Sequence, residues 1–172
     1  METPQQYSAR ILGNLEGKDP LKILSTTPQK IKKILGKLSK KAIYKKPSEN
    51  KWSIAEIVAH LAETELVNGW RFRIIVEKNE VPIQPFEQDA WAKNSRYHST
   101  DVKKMITLYA VLREANLQFI KGLPKEKFEN FGMHAERGKE SISHLINLEA
   151  GHDLNHLRQI EAIVSKKSKK KN

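Results

Sequence analysis

The 172-residue sequence predicts an all-α protein, an antiparallel four-helix bundle with a long loop between its second and third helices. Apolar residues recur at intervals of three and four over four segments, which is the spacing of one helix face. Capping and stop signals bound these segments, and no strand-like alternation of useful length interrupts them. The length suits one domain with a substantial core, which we place at residues 20–164.

The first bundle helix is predicted to begin at Thr27–Pro28, because a capping threonine followed by proline favours a helix start. Lysines surround its narrow apolar stripe, which consists of Ile31, Ile34, Leu35 and Leu38. Residues 1–19 are predicted to be an N-terminal extension with a short helix, and residues 165–172 a disordered lysine-rich tail.

The second helix is predicted to run from Ser53 to near Glu77. Its opening Ser53 and Glu56 have the spacing of a capping box, in which each residue bonds a free backbone N–H of the first turn. Residues 78–100 follow without a sustained period. Long ordered loops in compact domains often line functional sites, so we expect a lid or a pocket wall there.

The third helix is predicted to begin near Thr100–Asp101 and to end at Gly122, where the sequence Gly-Leu-Pro stops it. A second loop, residues 122–140, leads to a fourth helix from Ser141 to about Val164. Each of these helices has an apolar stripe, and packing the four stripes together gives the bundle.

The composition excludes several kinds of protein. With no cysteine, the chain has no disulfide framework, no thiolate metal site and no cysteine nucleophile. Its first residues lack the apolar core of a signal peptide, and no apolar run is long enough to span a bilayer. We therefore expect a cytoplasmic protein without a membrane partner.

The net charge of +11 is concentrated in two places. Residues 30–46 carry eight lysines and residues 166–171 carry five, so the remaining 18 basic residues face 20 acidic ones. Such runs are typically a solvated helix face and a solubilising tail, and no aromatic residues are interleaved with the tail for base stacking. A nucleic-acid partner is therefore not expected.

Three histidines form the predicted site. His152 and His156 are four residues apart on the fourth helix, so both imidazoles lie on one face and can bind one transition metal. The inward positions of the second helix include His60, the best third ligand. Buried imidazoles need partners, and one divalent cation would satisfy all three together. The alternative is three separately hydrogen-bonded core histidines.

Asp153 stands where a zinc protease of similar pattern has glutamate. We discount that reaction because aspartate is one methylene shorter, and we expect Asp153 to be exposed or to lie beside a ligand. His98, His134 and His144 fall in loops or at a helix start, where surface or capping roles are typical; His134 could approach the site.

Several motifs resemble the DinB/YfiT-like superfamily. They are Trp52-Ser53-x-x-Glu56-Ile57-x-x-His60, Trp70-Arg71-Phe72, Gln84-Pro85-Phe86 with Asp89, Gly132-Met133-His134-x-Glu136-Arg137-Gly138, and Gly151-His152-x-x-x-His156-Leu157-x-Gln159-Ile160. The resemblance spans about residues 20–164. It implies a four-helix bundle in which His60, His152 and His156 bind one divalent metal, often in a homodimer.

The relatives implied by this resemblance include transferases that use bacillithiol or mycothiol, a mycothiol-dependent maleylpyruvate isomerase and many proteins described only as metal-dependent hydrolases. Our first hypothesis is therefore a metal-dependent transferase that activates a small thiol cosubstrate, which the cysteine-free chain cannot supply. The alternatives are a hydrolase that uses a metal-bound hydroxide and a non-enzymatic helical binding module with a structural metal. Three imidazoles suit several metals, of which zinc or nickel is expected.

Further side chains are assigned candidate roles near the metal. Acid–base candidates are Glu63, Glu65 and Asp153. Arg71 is a candidate for binding a carboxylate or phosphate of a small-molecule substrate. Gln159, one turn after His156, is expected to hold a ligand histidine or a bound water.

Overall fold

A computed structural model describes residues 2–168. They form seven α-helices: α1 (Pro4–Gly13), α2 (Pro20–Leu35), α3 (Lys40–Tyr44), α4 (Ile54–Glu77), α5 (Gln88–Asn94), α6 (Val102–Lys121) and α7 (Ile142–Ser168). Three short strands complete the fold: β1 (Val81–Ile83), β2 (Phe131–His134) and β3 (Gly138–Ser141). No helix in this part of the chain is long and apolar enough to cross a bilayer.

The four long helices form the predicted bundle. Helix α4 packs against α6 and α7, and α2 packs against the same two helices from the other side. Helix α4 starts as predicted, with the Ser53 Oγ accepting the Glu56 N–H at 3.3 Å and the Glu56 Oε2 accepting the Ser53 N–H at 2.7 Å. Asp101 caps α6, whose predicted bounds are also confirmed.

The predicted start of the first bundle helix is wrong. Helix α2 begins at Pro20 after an Asp19 cap, so Thr27 and Pro28 lie inside it. Thr27 satisfies its hydroxyl locally by donating to a backbone oxygen, and Pro28 has no N–H for the carbonyl four residues earlier. That carbonyl, Leu24 O, instead accepts a hydrogen bond of 3.0 Å from the Arg113 guanidinium of α6.

The two predicted loops contain a small sheet that the sequence pattern did not indicate. Strand β1 pairs in parallel with β2, and β2 pairs antiparallel with β3. The first loop also contains α5 and a 3₁₀ turn at Tyr97–Ser99. Strands of three or four residues are too short to show a period, and β1 finds its partner about 50 residues away.

A polar layer divides the core of the bundle into two apolar halves. One half joins Ile31 to the first part of α4 and the second part of α7, and the other joins Leu24 to the second part of α4 and the first part of α7. Between these halves, each of the four long helices contributes a buried polar side chain: Thr27 of α2, Glu65 of α4, Arg113 of α6 and Asp153 of α7. The predicted metal ligands lie on α4 and α7 at this level.

Helix α1 lies against α7 beside this layer. A Cβ on Gly151 would lie 2.2 Å from the Ile11 carbonyl oxygen, so only glycine permits this approach. The Asn14 Nδ2 also donates to the Gly151 carbonyl at 3.2 Å. The close contact fixes α1 next to His152, the residue after Gly151.

Replacing Gly151 by alanine is expected to destabilise the protein by about 1–3 kcal/mol, because α1 or α7 must shift to admit the methyl group. Urea unfolding measures the change. Gly13→Ala is the matched control, since a Cβ there meets nothing within 4 Å. Equal free energies of unfolding for the two variants would show that α1 is free to move away at no cost.

The boundary predicted for the disordered tail is also wrong. Helix α7 continues past Val164 to Ser168, so the first part of the proposed tail is helical. The last four residues of that prediction, 169–172, lie outside the described residues.

Candidate metal centre

His60 from α4 meets His152 and His156 from α7 in the polar layer. The Nε2 atom of His152 lies 3.0 Å from the Nε2 atoms of both other histidines. One nitrogen from each ring lies within 4.8 Å of the other two, and the three side chains are only 2–8% exposed. The spacing along two helices therefore brings the three predicted ligands to one point.

The arrangement of the three Nε2 atoms is better explained by one shared cation than by hydrogen bonds among the three rings. A neutral imidazole has a single N–H, so three converging Nε2 atoms cannot all be paired by hydrogen bonds among themselves. In the tautomer in which the Nε2 atom of His156 carries a lone pair, its Nδ1 carries the proton, and this Nδ1–H donates to the Gln159 Oε1 at 3.0 Å. Separations near 3 Å are also compatible with nitrogens that each lie about 2.0–2.1 Å from one shared ion.

Burial keeps these rings neutral. It lowers the pKa of His156 to about 4, and it lowers the pKa of His60 and His152 well below the ordinary value, with neighbouring imidazoles adding to the effect. Neutral imidazoles are the form that binds metals. Trp52 covers the group, with its ring centroid 4.9 Å from that of His60 and 6.5 Å from that of His156.

Two cavities reach the three histidines from different sides. The first, of about 690 Å³, is lined by His60 and His152, and we call it the Arg71 cavity after the cation in its wall. The second, of about 650 Å³, is lined by His156 and Trp52, and we call it the Trp52 cavity. Tyr7 of α1 lines both cavities, so the N-terminal helix contributes to the walls of both.

Two of the acid–base candidates belong to a buried ion-pair cluster. Glu65 and Asp153 both accept hydrogen bonds from Arg113, at 2.8 Å and 2.7 Å, and Tyr109 donates to Asp153 at 2.9 Å. Asp153 is therefore not exposed, contrary to one of the two positions considered for it. Neither carboxylate lines a cavity at the metal centre, because Arg113 holds both behind the histidines.

Glu63, the third acid–base candidate, accepts a hydrogen bond of 2.6 Å from the Tyr97 hydroxyl. It lines neither cavity. Burial, together with this carboxylate, raises the pKa of Tyr97. The pair ties α4 to the loop before α6 rather than facing the open side of the histidines.

Glu149 was not among the predicted site residues, yet it lines the Arg71 cavity together with His152. Burial raises its pKa well above the ordinary value, and the Glu65 charge adds to this shift. Burial therefore favours the protonated form of Glu149, although the Arg113 guanidinium at 3.2 Å opposes this shift. The sequence does offer one signal for Glu149, because it lies one turn before His152 on the same inward stripe of the helix.

Arg71 lines the Arg71 cavity, and His134 lies close to Arg71 without lining it. The Arg71 Nη2 donates to the Gln84 carbonyl at 2.7 Å. The Nδ1 of His134 accepts the backbone N–H of Glu136 at 3.2 Å, so this ring organises the turn between β2 and β3. His134 does not line either cavity and is not among the three grouped imidazoles.

Residues 23–160 match the model of the DinB superfamily, and the chain belongs to that family. The "Putative metal-dependent hydrolase YfiT" of Bacillus subtilis is 21% identical over 158 residues, which cover 90% of this chain and 88% of the relative. A relative in Oceanobacillus iheyensis with the same descriptive name is 22% identical over 116 residues, 67% of each chain.

The solved structure of YfiT from Bacillus subtilis is similar in fold. It superposes with a TM-score of 0.82 at 17% sequence identity, covering 87% of this chain and 86% of YfiT. That protein is described as a four-helix bundle of unusual topology. This structural match confirms the predicted bundle, and the family model over residues 23–160 confirms the predicted superfamily.

Proposed function

We propose that this protein is a metal-dependent hydrolase that acts on a small molecule at His60, His152 and His156. The convergence of three neutral, buried imidazoles on one point carries the proposal. The descriptive names of the YfiT-like relatives support the reaction class. When bound, a divalent ion such as zinc or nickel supplies Lewis-acid chemistry, which acidifies water or a thiol and polarises a carbonyl.

The protein's own groups have distinct tasks in this proposal. Gln159 fixes the tautomer of His156 by accepting its Nδ1–H. Trp52 shields two ligand rings from water. Glu149 lies in the wall of the Arg71 cavity with His152, and burial raises its pKa, so its carboxyl is the candidate proton donor to a leaving group.

A second candidate is transfer of a small thiol to an electrophilic acceptor. Its specific support is that two separate cavities, each of several hundred Å³, reach the same three histidines. A hydrolase needs one substrate pocket, whereas a transferase needs room for two organic molecules. With no cysteine in the chain, the thiol would enter as a free cosubstrate.

The proposed reaction can be tested with protein purified without a histidine tag. We expect hydrolysis of simple esters or amides that is lost after chelation and restored by zinc or nickel. A parallel screen pairs small thiols with electrophilic acceptors. Turnover that requires both metal and thiol would replace hydrolysis by the transferase reaction.

A structural metal is the remaining alternative, and circular dichroism of the chelated protein distinguishes it. A catalytic site should lose its metal while the bundle stays folded, whereas a structural site should unfold. Unfolding on chelation, with no turnover of either kind, would contradict the enzyme proposal. We also propose that the protein forms a homodimer, which analytical ultracentrifugation tests, and that it is located in the cytoplasm, which cell fractionation tests.

A further inference from the structure

Arg71 is a buried cation that has no acidic partner among the described residues. Its side chain is only 4% exposed, and no carboxylate of the described residues lies within ion-pair distance of its guanidinium. Burial lowers the pKa of Arg71 to about 10, so the group still keeps its charge at neutral pH. A buried charge left without a counterion is costly, which makes such a residue a candidate for binding a ligand.

The other buried arginine of the bundle provides a contrast. Arg113 contacts three acidic side chains, those of Glu65, Glu149 and Asp153. The charged neighbours of Arg71 are Arg137 and Glu140, but these two pair with each other at 2.6 Å. The cluster of Arg71, Arg137 and Glu140 therefore places a net charge of +1 at the wall of the cavity.

Unpaired polar atoms are concentrated at the same cavity. Of the four buried side-chain atoms without a hydrogen-bond partner in the described chain, three belong to residues that line it: His60 Nδ1, Thr64 Oγ1 and Arg71 Nε. Thr64 is one helical turn after His60. Arg71 lies eleven residues after His60 on the same helix, about 16 Å along its axis.

The guanidinium is already held in place. Its Nη2 donates to the Gln84 carbonyl at 2.7 Å, and its central carbon lies 5.9 Å from the centre of the Phe86 ring. These contacts leave the Nε–H free for an incoming acceptor. The acidic residues that also line the cavity are Glu2, Glu87 and Glu136 at its exposed rim and Glu149 beside His152. Water screens the three rim charges.

We propose that Arg71, assisted by the Thr64 hydroxyl, binds a carboxylate of the substrate, so that the enzyme acts on small monoanionic molecules. A carboxylate neutralises the net charge of +1 at this end of the cavity, whereas a phosphate dianion would leave an excess negative charge. A fixed guanidinium also matches the two oxygens of a carboxylate. This substrate class rests on the proposed function, since the reacting end of the molecule would lie at the three histidines.

Butyrate and butyramide test the site because they have nearly the same shape and differ in charge. Binding is followed by NMR titration of the ¹⁵N-labelled full-length protein at constant ionic strength. We expect butyrate to bind the wild type at least about tenfold more tightly than butyramide does, with a shift of the Arg71 Nε–H signal. Arg71→Met should remove this preference, whereas Arg158→Met, an exposed arginine outside the cavity, should keep it.

Stability separates a binding role from a structural one. Arg71→Met removes an uncompensated buried charge, so its thermal midpoint is expected to equal or exceed that of the wild type. Equal binding of butyrate and butyramide, or butyrate binding retained in Arg71→Met, overturns the site. If Arg71→Met does not fold, the wild-type preference and Arg71→Lys decide the question. Inorganic phosphate that binds more tightly than butyrate through Arg71 overturns the carboxylate assignment.

The titrations are repeated after chelation, because Arg71 does not belong to the three-histidine group. Butyrate selectivity in metal-free protein supports the anion site even if no metal-dependent hydrolysis is found. Metal-dependent hydrolysis without butyrate selectivity would leave the proposed function intact and remove the carboxylate site.

Discussion

Replacing His156 by alanine is expected to lower the affinity for zinc or nickel by more than about 100-fold and to abolish metal-dependent turnover. Loss of a side chain that only supports a ligand typically costs 10- to 100-fold in affinity, so loss of a ligand itself should cost more. Elemental analysis of tag-free protein, together with a competition titration against a chelator, measures the effect. The same loss is expected for His60→Ala, which lies on the other helix.

Two variants control for this result. His98→Ala removes an exposed histidine and should keep one metal per chain. Gln159→Ala removes the partner of the His156 Nδ1–H and should weaken binding by about 10- to 100-fold while keeping the site. Full metal occupancy in both His60→Ala and His156→Ala would show that the three imidazoles are core residues without a shared ion.

Replacing Arg113 by methionine is expected to reduce the free energy of unfolding by about 3–5 kcal/mol. The variant leaves Glu65 and Asp153 buried without their cation, and a buried pair that loses one partner is strongly destabilised. It also leaves the Leu24 carbonyl, which Pro28 cannot satisfy, without its donor. Urea unfolding of metal-free protein measures the change.

A second substitution tests this explanation. Adding Asp153→Asn to Arg113→Met removes one of the two carboxylates that lost their cation. In a double-mutant cycle, this second change should recover part of the lost free energy of unfolding. Arg158→Met, which removes an exposed arginine paired with Glu16, should change stability by less than about 1 kcal/mol. A similar small effect for Arg113→Met would mean that the cluster contributes little to the bundle.

The bundle and the three histidines could be predicted because their signals are local. A capping box marks the start of α4, and the spacing of His152 and His156 places both on one helix face. His60 could be added because the inward stripe of its helix is regular over several turns. These are properties of short segments, which a sequence displays directly.

The polar layer and the sheet could not be predicted because they depend on pairings between distant segments. Nothing near Arg113 in the sequence indicates that its partners are Glu65 and Asp153, which are 48 and 40 residues away. The wrong helix start at Thr27–Pro28 has the same cause. Pro28 can lie inside α2 because Arg113 of α6 donates to the Leu24 carbonyl that Pro28 leaves unsatisfied, and this distant contact is not visible in the local sequence. A polar residue on an inward stripe is the clue that the sequence does offer.

The meeting of α4 and α7 at the histidines has a consequence for folding. His60 and His152 are 92 residues apart, so an ion bound by both would close a long loop in a chain that has no cysteine for a covalent crosslink. Closing a loop of that length removes roughly 4–5 kcal/mol of conformational entropy from the unfolded chain in the disulfide model. Such an ion would act as a reversible crosslink between α4 and α7. The free energy of unfolding would then increase with the concentration of free metal.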